Sequence, residues 1–236
     1  GDLSINSNGG NVALAAQDGV ISSQGVRRDL TVNLVDGNFT SGDINLAGGG
    51  AVDKGVFNVT TTGLASLSEV KAPAGINVNA DSGITLNGDL ATTGSDIVLD
   101  DAVTLAGTQD ILITTNFVDL ANTGVSANSL SKQTNNLNKT PSLSEQEIAN
   151  FDSSLAGNVT VTDISGDGSL GLNLTTGSGD IALNGDINNI QNLSAQNTAS
   201  INVSGDVTLT GAMTLQSQSL QVDGNVNVNG GFSSTA

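Results

Sequence analysis

Residues 178–229 read SGDIALNGDINNIQNLSAQNTASINVSGDVTLTGAMTLQSQSLQVDGNVNVN, and this stretch decides the fold. Apolar and polar residues alternate in short bursts: Ile181–Leu183, Ile201–Val203, Val207–Leu209, Leu220–Val222 and Val226–Val228. A period of two marks a strand with one buried face. Asn184-Gly185, Asp223-Gly224 and Asn229-Gly230 punctuate the bursts with residues that accept turn conformations. The bursts recur in two linked series. Ile181, Ile201 and Leu220 follow one another at about 20 residues, and Ile187, Val207 and Val226 repeat the same interval. Two strand positions repeating together in this way predict successive turns of one coil.

The pattern extends outward in both directions. The steps from Ile76–Val78 to Ile97–Leu99 and from Ile84–Leu86 to Val103–Leu105 are again about 20 residues each. Toward the N-terminus, Leu3–Ile5, Val12–Leu14, Leu30–Leu34, Ile44–Leu46 and Phe57–Val59 alternate in the same way, but their spacing wanders. The expected fold is all-β: a parallel β-helix, or β-solenoid, with coils of about 20 residues. Parallel stacking suits the sequence better than a sandwich, which needs hairpin turns and no double period. No single coil buries enough to hold itself, so stacking supplies the core.

Alternation stops between Phe117 and Ala156. Ser144 and Glu147 there form a capping box, and Ile148, Phe151 and Leu155 fall at i, i+3 and i+7. The expected organisation is solenoid over 1–116, a mostly helical insertion over 117–156, and solenoid again over 157–236. Ile148, Phe151 and Leu155 form one apolar face, either a brace against the coils or a partner-binding site. Without the insertion, enough chain remains for roughly nine or ten coils, a rod about 45 Å long at one strand spacing per coil.

Composition narrows the chemistry. The 236 residues contain no Cys, His, Trp or Tyr and five Phe, with a net charge of −17. Disulfides, thiolate metal sites and imidazole chemistry are therefore excluded. Aromatic platforms for bases and sugars are scarce. Beyond Lys139 there is no Lys or Arg, which argues against nucleic acid and anionic membrane surfaces as partners. No stretch approaches about 18 consecutive apolar residues, so no membrane insertion is expected. The chain begins with Gly1, which suggests a processed or excised piece.

Gly42-Asp43-Ile44-Asn45-Leu46, Gly179-Asp180-Ile181-Ala182-Leu183 and Gly205-Asp206-Val207-Thr208-Leu209 share a Gly-Asp-aliphatic-x-Leu pattern. They resemble the repeats of filamentous-haemagglutinin-type bacterial exoproteins, and Leu155–Val161 is similar to the turn-into-strand joints of those repeats. The resemblance covers most of the chain. It implies a right-handed parallel β-helix exported by two-partner secretion or an autotransporter-like route. It further implies an extracellular, cell-surface location and an adhesive or structural role toward a host or neighbouring cell, its glycans or its proteins. No NPNL-like secretion-domain motif occurs here, so the likeness is to a repeat region.

Candidate sites follow from the acids. Asp186 and Asp206 fall in adjacent coils, with Asn225 next, and Asp163 and Asp167 lie in the stretch DISGDGS. Carboxylates one strand spacing apart repel, and a hard cation such as calcium with oxygen ligands relieves that. The competing reading is that Asp starts turns and points into water. No cofactor is otherwise expected. Asp100-Asp101 and the Asp163/Asp167 pair are the nearest approach to the two acids of a carbohydrate-active β-helix enzyme. With no His or Tyr to share proton transfer, no catalytic residue is assigned. Thr60-Thr61-Thr62, Thr175-Thr176 and Thr208/Thr210 suggest a surface-binding Thr face without the even spacing such a face needs. If the two ends of the rod carry unpaired strand edges, end-to-end self-association into a filament is the alternative role.

Overall fold

The computed structural model describes residues 2–14, 21–22, 28–46, 55–117 and 156–235. Among them the chain is all-β with no helix, and its strands form two long parallel sheets, as in a parallel β-solenoid. The chain visits three strand columns in turn. The first holds β1 (Leu3–Ser7), β4 (Leu30–Leu34), β7 (Phe57–Thr61), β10 (Ile76–Ala80), β13 (Ile97–Leu99), β16 (Val159–Val161) and β19 (Asp180–Leu183). The C-terminal halves of β21 (Leu193–Val203) and β23 (Met213–Val222) complete it. The second column is a sheet of its own: β2 (Val12–Leu14), β5 (Phe39–Ser41), β8 (Ala65–Leu67), β11 (Ile84–Leu86), β14 (Val103–Leu105), β17 (Ile164–Ser165), β20 (Ile187–Ile190), β22 (Val207–Leu209) and β24 (Val226–Val228). The third runs through β3 (Ile21–Ser22), β6 (Ile44–Asn45), β9 (Val70–Lys71), β12 (Leu90–Ala91), β15 (Ile111–Thr114) and β18 (Leu172–Thr175). It continues into the N-terminal halves of β21 and β23 and ends at β25 (Phe232–Thr235).

Nine such circuits are stacked among the described residues. The first two steps, Leu3 to Leu30 and Leu30 to Phe57, are long. Later uninterrupted steps, from Phe57 to Ile76 through to Ile201 to Leu220, are shorter, at about 20 residues each. The step from Ile97 to Val159 is far longer than any other and takes in residues 117–156, where an insertion is expected. That insertion, including Ile148, Phe151 and Leu155, lies outside the described residues apart from its ends, Phe117 and Ala156. Phe117 is anchored where the chain departs. Its N–H donates to Thr92 O at 3.1 Å, and the Lys71 ammonium sits 5.6 Å from its ring centroid. Lys71 Nζ also pairs with Glu69 Oε1 at 2.9 Å.

Alternation places every second side chain inside. Ile181 stacks on Ile201, Leu183 on Val203, Ile187 on Val207, Ile190 on Leu209 and Leu193 on Met213. All of these are buried. Each such side chain contributes about 1.5–3 kcal/mol relative to exposure. Near the N-terminal end the Phe39 and Phe57 rings meet at 6.1 Å across adjacent coils. Among the described residues two non-glycine residues occupy the left-handed region, both Asn, which tolerates it. Asn197 (φ 50) lets β21 turn the corner from the third column into the first without a break, and Asn189 (φ 53) sits at the register shift in β20.

Candidate functional site

The sequence-selected acids sit at the corner between the first and second columns. There the repeating unit is Gly-Asx: Gly185-Asp186, Gly205-Asp206 and Gly224-Asn225. A parallel β-strand leaves its N–H and C=O groups to the neighbouring coils, but at a corner the chain turns and the ladder is interrupted. The Asx side chain bridges that interruption. Asp186 N donates to Asp163 Oδ1 at 2.8 Å, Asp206 N to Asp186 Oδ1 at 2.9 Å, and Asn225 N to Asp206 Oδ1 at 2.8 Å. Asn225 Nδ2 donates to the same Asp206 oxygen at 3.0 Å. Each acid thus accepts the N–H of its counterpart one coil further on.

Glycine at the preceding position has a steric cause. A Cβ on Gly205 would lie 2.2 Å from Gly185 O, and one on Gly224 1.9 Å from Gly205 O. The coils stack backbone on backbone there, and only glycine leaves the room.

The same device recurs at the other two corners. Between the third and first columns, Asn158 N donates to Asp96 Oδ1 at 2.8 Å and Asp180 N to Asn158 Oδ1 at 2.9 Å. Asp29 N likewise donates to Asp2 Oδ1 at 3.1 Å. Between the second and third columns, Leu112 N donates to the buried Asp89 at 2.9 Å, Gly171 N to Asp110 at 2.8 Å and Ala212 N to Asn192 at 2.8 Å.

Three of the four proposed calcium ligands, Asp163, Asp186 and Asp206, therefore share one column. Asp167 stands apart. Its Oδ1 accepts from Ser169 N at 2.9 Å and Ser169 Oγ at 2.5 Å. These bonds, the hydroxyl's first, hold its carboxyl below the usual aspartate range. Among the described residues no three or more His, Cys, Asp or Glu side chains are grouped to hold a metal ion. The neighbouring acids Asp100 and Asp101 are tied to the adjacent coil: Asn79 Nδ2 donates to Asp100 Oδ2 at 3.3 Å, and Ala80 N to Asp101 Oδ2 at 2.7 Å.

Sequence reasoning missed a second polar column, inside the corner between the third and first columns. Thr92, Thr115, Thr176 and Thr198 are buried there, and their hydroxyls point at backbone carbonyls. Thr92 Oγ1 donates to Ser95 O, Thr115 Oγ1 to Gly157 O at 2.6 Å, and Thr176 and Thr198 each to Gly179 O at 2.8 Å. The recurring Thr-Thr-Gly-Ser of 92–95 and 175–178 is one residue out of register as a signal, because the pairing of Ala91 with Thr114 and of Thr114 with Thr175 sets Thr92 level with Thr115 and Thr176. Of the suggested surface threonines, Thr61 and Thr176 face inward, so no Thr face forms from them.

Outside, β7, β10 and β13 form an open groove of about 260 Å³ lined by Asn58, Thr60, Asn77, Asn79, Val98 and Asp100. Asn77 Nδ2 donates to Asn58 Oδ1 at 3.0 Å across its floor. The groove offers amides, a hydroxyl and one carboxylate to a ligand, and no aromatic ring. No family model, curated protein or solved structure matches this chain.

Proposed function

We propose that the chain is a structural or adhesive segment of a secreted bacterial surface protein, a stiff acidic rod that displays its outer columns to a host or neighbouring cell. The observation that carries this reading is the Asx ladder at the corners. It locks coil to coil at all three corners, so stiffness is built from the backbone outward and the outward side chains remain for display. The proposed coil is right-handed, and its export follows the two-partner or autotransporter-like route that the repeats imply. The amide-rich groove across β7, β10 and β13 is the surface proposed to meet a neutral glycan or a protein. Calcium between Asp163, Asp186 and Asp206 is a proposal of the same kind, and catalysis is not part of it.

Small-angle scattering of dilute protein, followed by binding to cells and immobilised glycans, tests the reading. Nine coils at one strand spacing each make a rod about 43 Å long. A compact sphere removes the rod. A rod with no measurable binding to any cell surface or glycan removes the adhesive half and leaves the structural one.

A further inference from the structure

Leu86-Asn87-Gly88-Asp89 and Leu183-Asn184-Gly185-Asp186 are the same four residues at two different corners of the stack. An Asn-Gly pair carries chemistry of its own, and asparagine is a thermolabile residue for that reason. Glycine has no side chain to shield its amide nitrogen, which can close on the asparagine carboxamide carbon to form a five-membered succinimide. Identical neighbours give the two pairs the same intrinsic reactivity. Any difference between them comes from the fold.

Both asparagines are exposed, but only one is held. Asn87 Nδ2 donates to Ser66 Oγ at 3.0 Å and to Leu67 O at 3.3 Å, which clamps its carboxamide onto the coil before it. Asn184 has no such clamp. The pairing of Val161 with Leu183 sets Asn184 level with Thr162, whose hydroxyl is turned to Leu99 O at 3.4 Å. Among the described residues neither the Asn184 carboxamide nor the Gly185 N–H has a hydrogen-bond partner. The other described Asn-Gly pairs are restrained at the attacking atom instead: Gly230 N donates to Gly211 O at 2.8 Å, and Gly9 N to Ser7 Oγ at 3.4 Å.

We propose that Asn184 is a site of spontaneous deamidation in the folded chain, with water as the co-reactant. The Gly185 nitrogen gives up its proton to hydroxide and attacks Asn184 Cγ. The N–Cγ bond forms, the Cγ–Nδ2 bond breaks, and the leaving nitrogen takes up a proton and departs as ammonia. Water then opens the ring: at Cγ to give aspartate, or at the main-chain carbonyl to give isoaspartate. One water enters and one ammonia leaves. Either product adds a negative charge beside Asp163 and Asp186. Isoaspartate also routes the main chain through the former side chain and lengthens it by one carbon, at a corner without room for it. Asp163 Oδ1 lies 2.1 Å from where a Cβ on Gly185 would stand, and Gly185 O 2.2 Å from that of Gly205. The ladder bond from Asp186 N to Asp163 Oδ1 is therefore the first to loosen, and the stack ages at one identifiable corner whatever the rod binds.

The test is peptide mapping by mass spectrometry of the 236-residue chain held at mildly alkaline pH, once folded and once in urea. In the folded chain Asn184 should convert about tenfold faster than Asn87, whose retained hydrogen bonds add to its barrier. In urea the two pairs should convert alike, because their sequences match. Hydrogen exchange at the Asp186 amide should quicken in the aged wild type and stay slow in Asn184→Ser, which lacks the reacting carboxamide. Equal rates for the two pairs in the folded chain overturn the proposal. So does an Asn184 that stays intact in the folded chain while it converts in urea. Conversion that leaves the Asp186 amide as protected as before overturns the loosening of the ladder.

Discussion

Replacing Asp186 separates the hydrogen-bond account of the acidic column from the cation account. Asp186 is exposed, accepts the Asp206 N–H at 2.9 Å, and lies between Asp163 and Asp206 in the stack. Asp186→Ala removes the acceptor, which by analogy with a capping residue costs about 1 kcal/mol. It also removes two like-charge contacts. One strand spacing apart in water, each is worth about 0.9 kcal/mol, roughly halved by physiological salt. The two effects nearly cancel, so Ala should be close to neutral overall. Asp186→Asn keeps a carbonyl acceptor, as Asn11 and Asn38 do in the same column, and sheds the repulsion. It should exceed Ala by about 1 kcal/mol. Hydrogen exchange at the Asp206 amide reads this locally, which matters because long repeat arrays need not unfold in one step. In chelator, protection of that amide should fall about fivefold in the Ala variant and hold in the Asn variant. Equal exchange in both variants would refute the ladder's contribution. An Asn variant that loses protection relative to wild type only in calcium would show that a cation holds the carboxylates.

Other positions give independent checks. Gly205→Ala should destabilise by about 1–3 kcal/mol or more, since its Cβ would meet backbone at 2.2 Å, while Gly231→Ala, with nothing within 4 Å, should be near neutral in thermal unfolding. Thr176→Val keeps the shape but deletes the hydroxyl that donates to Gly179 O, and should cost about 1–2 kcal/mol in urea unfolding. Because Thr198 shares that carbonyl, the Thr176→Val/Thr198→Val pair should cost a different amount from the sum of the singles. Carbon-detected titration should place Asp167 below the ordinary aspartate range, with Ser169→Ala raising it. Its contribution to stability is present above the unfolded-chain value and is lost as pH falls through the lowered one; an unmoved titration in the Ser169 variant would remove the hydroxyl as the cause.

The all-β fold was legible because inward residues must alternate, and because stacking forces Ile181, Ile201 and Leu220 into register. Spacing also brought Asp186, Asp206 and Asn225 together before any coordinates did. What spacing could not supply was direction: that the carboxylate reaches along the rod to a backbone N–H, which depends on the path of the chain through the corner. The grouping of Asp167 with Asp163 came from proximity in sequence, and the turn sends Asp167 to Ser169 instead. The long early steps were blurred because connections between their columns are longer, as the path from Ile44 to Phe57 shows against that from Val70 to Ile76, and the length of a connection carries no periodic signal. Buried threonines were missed for a related reason. A hydroxyl inside is unfavourable until a carbonyl is known to stand opposite it, and only the corner geometry provides one.

The same division of labour says where recognition has to be sought. Down the first column, inward positions stay large and apolar, from Leu30 and Phe57 through Ile76 and Ile97 to Ile181 and Ile201. The outward position between them passes through Thr31, Asn58, Asn77, Val98, Thr160 and Ala182 with no common chemistry. Stacking therefore constrains the Gly-Asx corner and the inward aliphatics and leaves the rest free. The Gly-Asp-aliphatic motif is accordingly a stacking device, and a ligand that tracked it would bind every coil alike. A selective partner must instead read a local run of outward residues, and along the run from Asn58 to Asp100 such residues enclose a groove. Exchanging Asn77 and Asn79 for Ala removes one side-chain bond to each neighbouring coil but should leave the backbone ladder and the buried stack in place. If the groove is the recognition surface, cell or glycan binding falls while the scattering of the rod does not change; binding that persists in that variant moves recognition elsewhere on the chain.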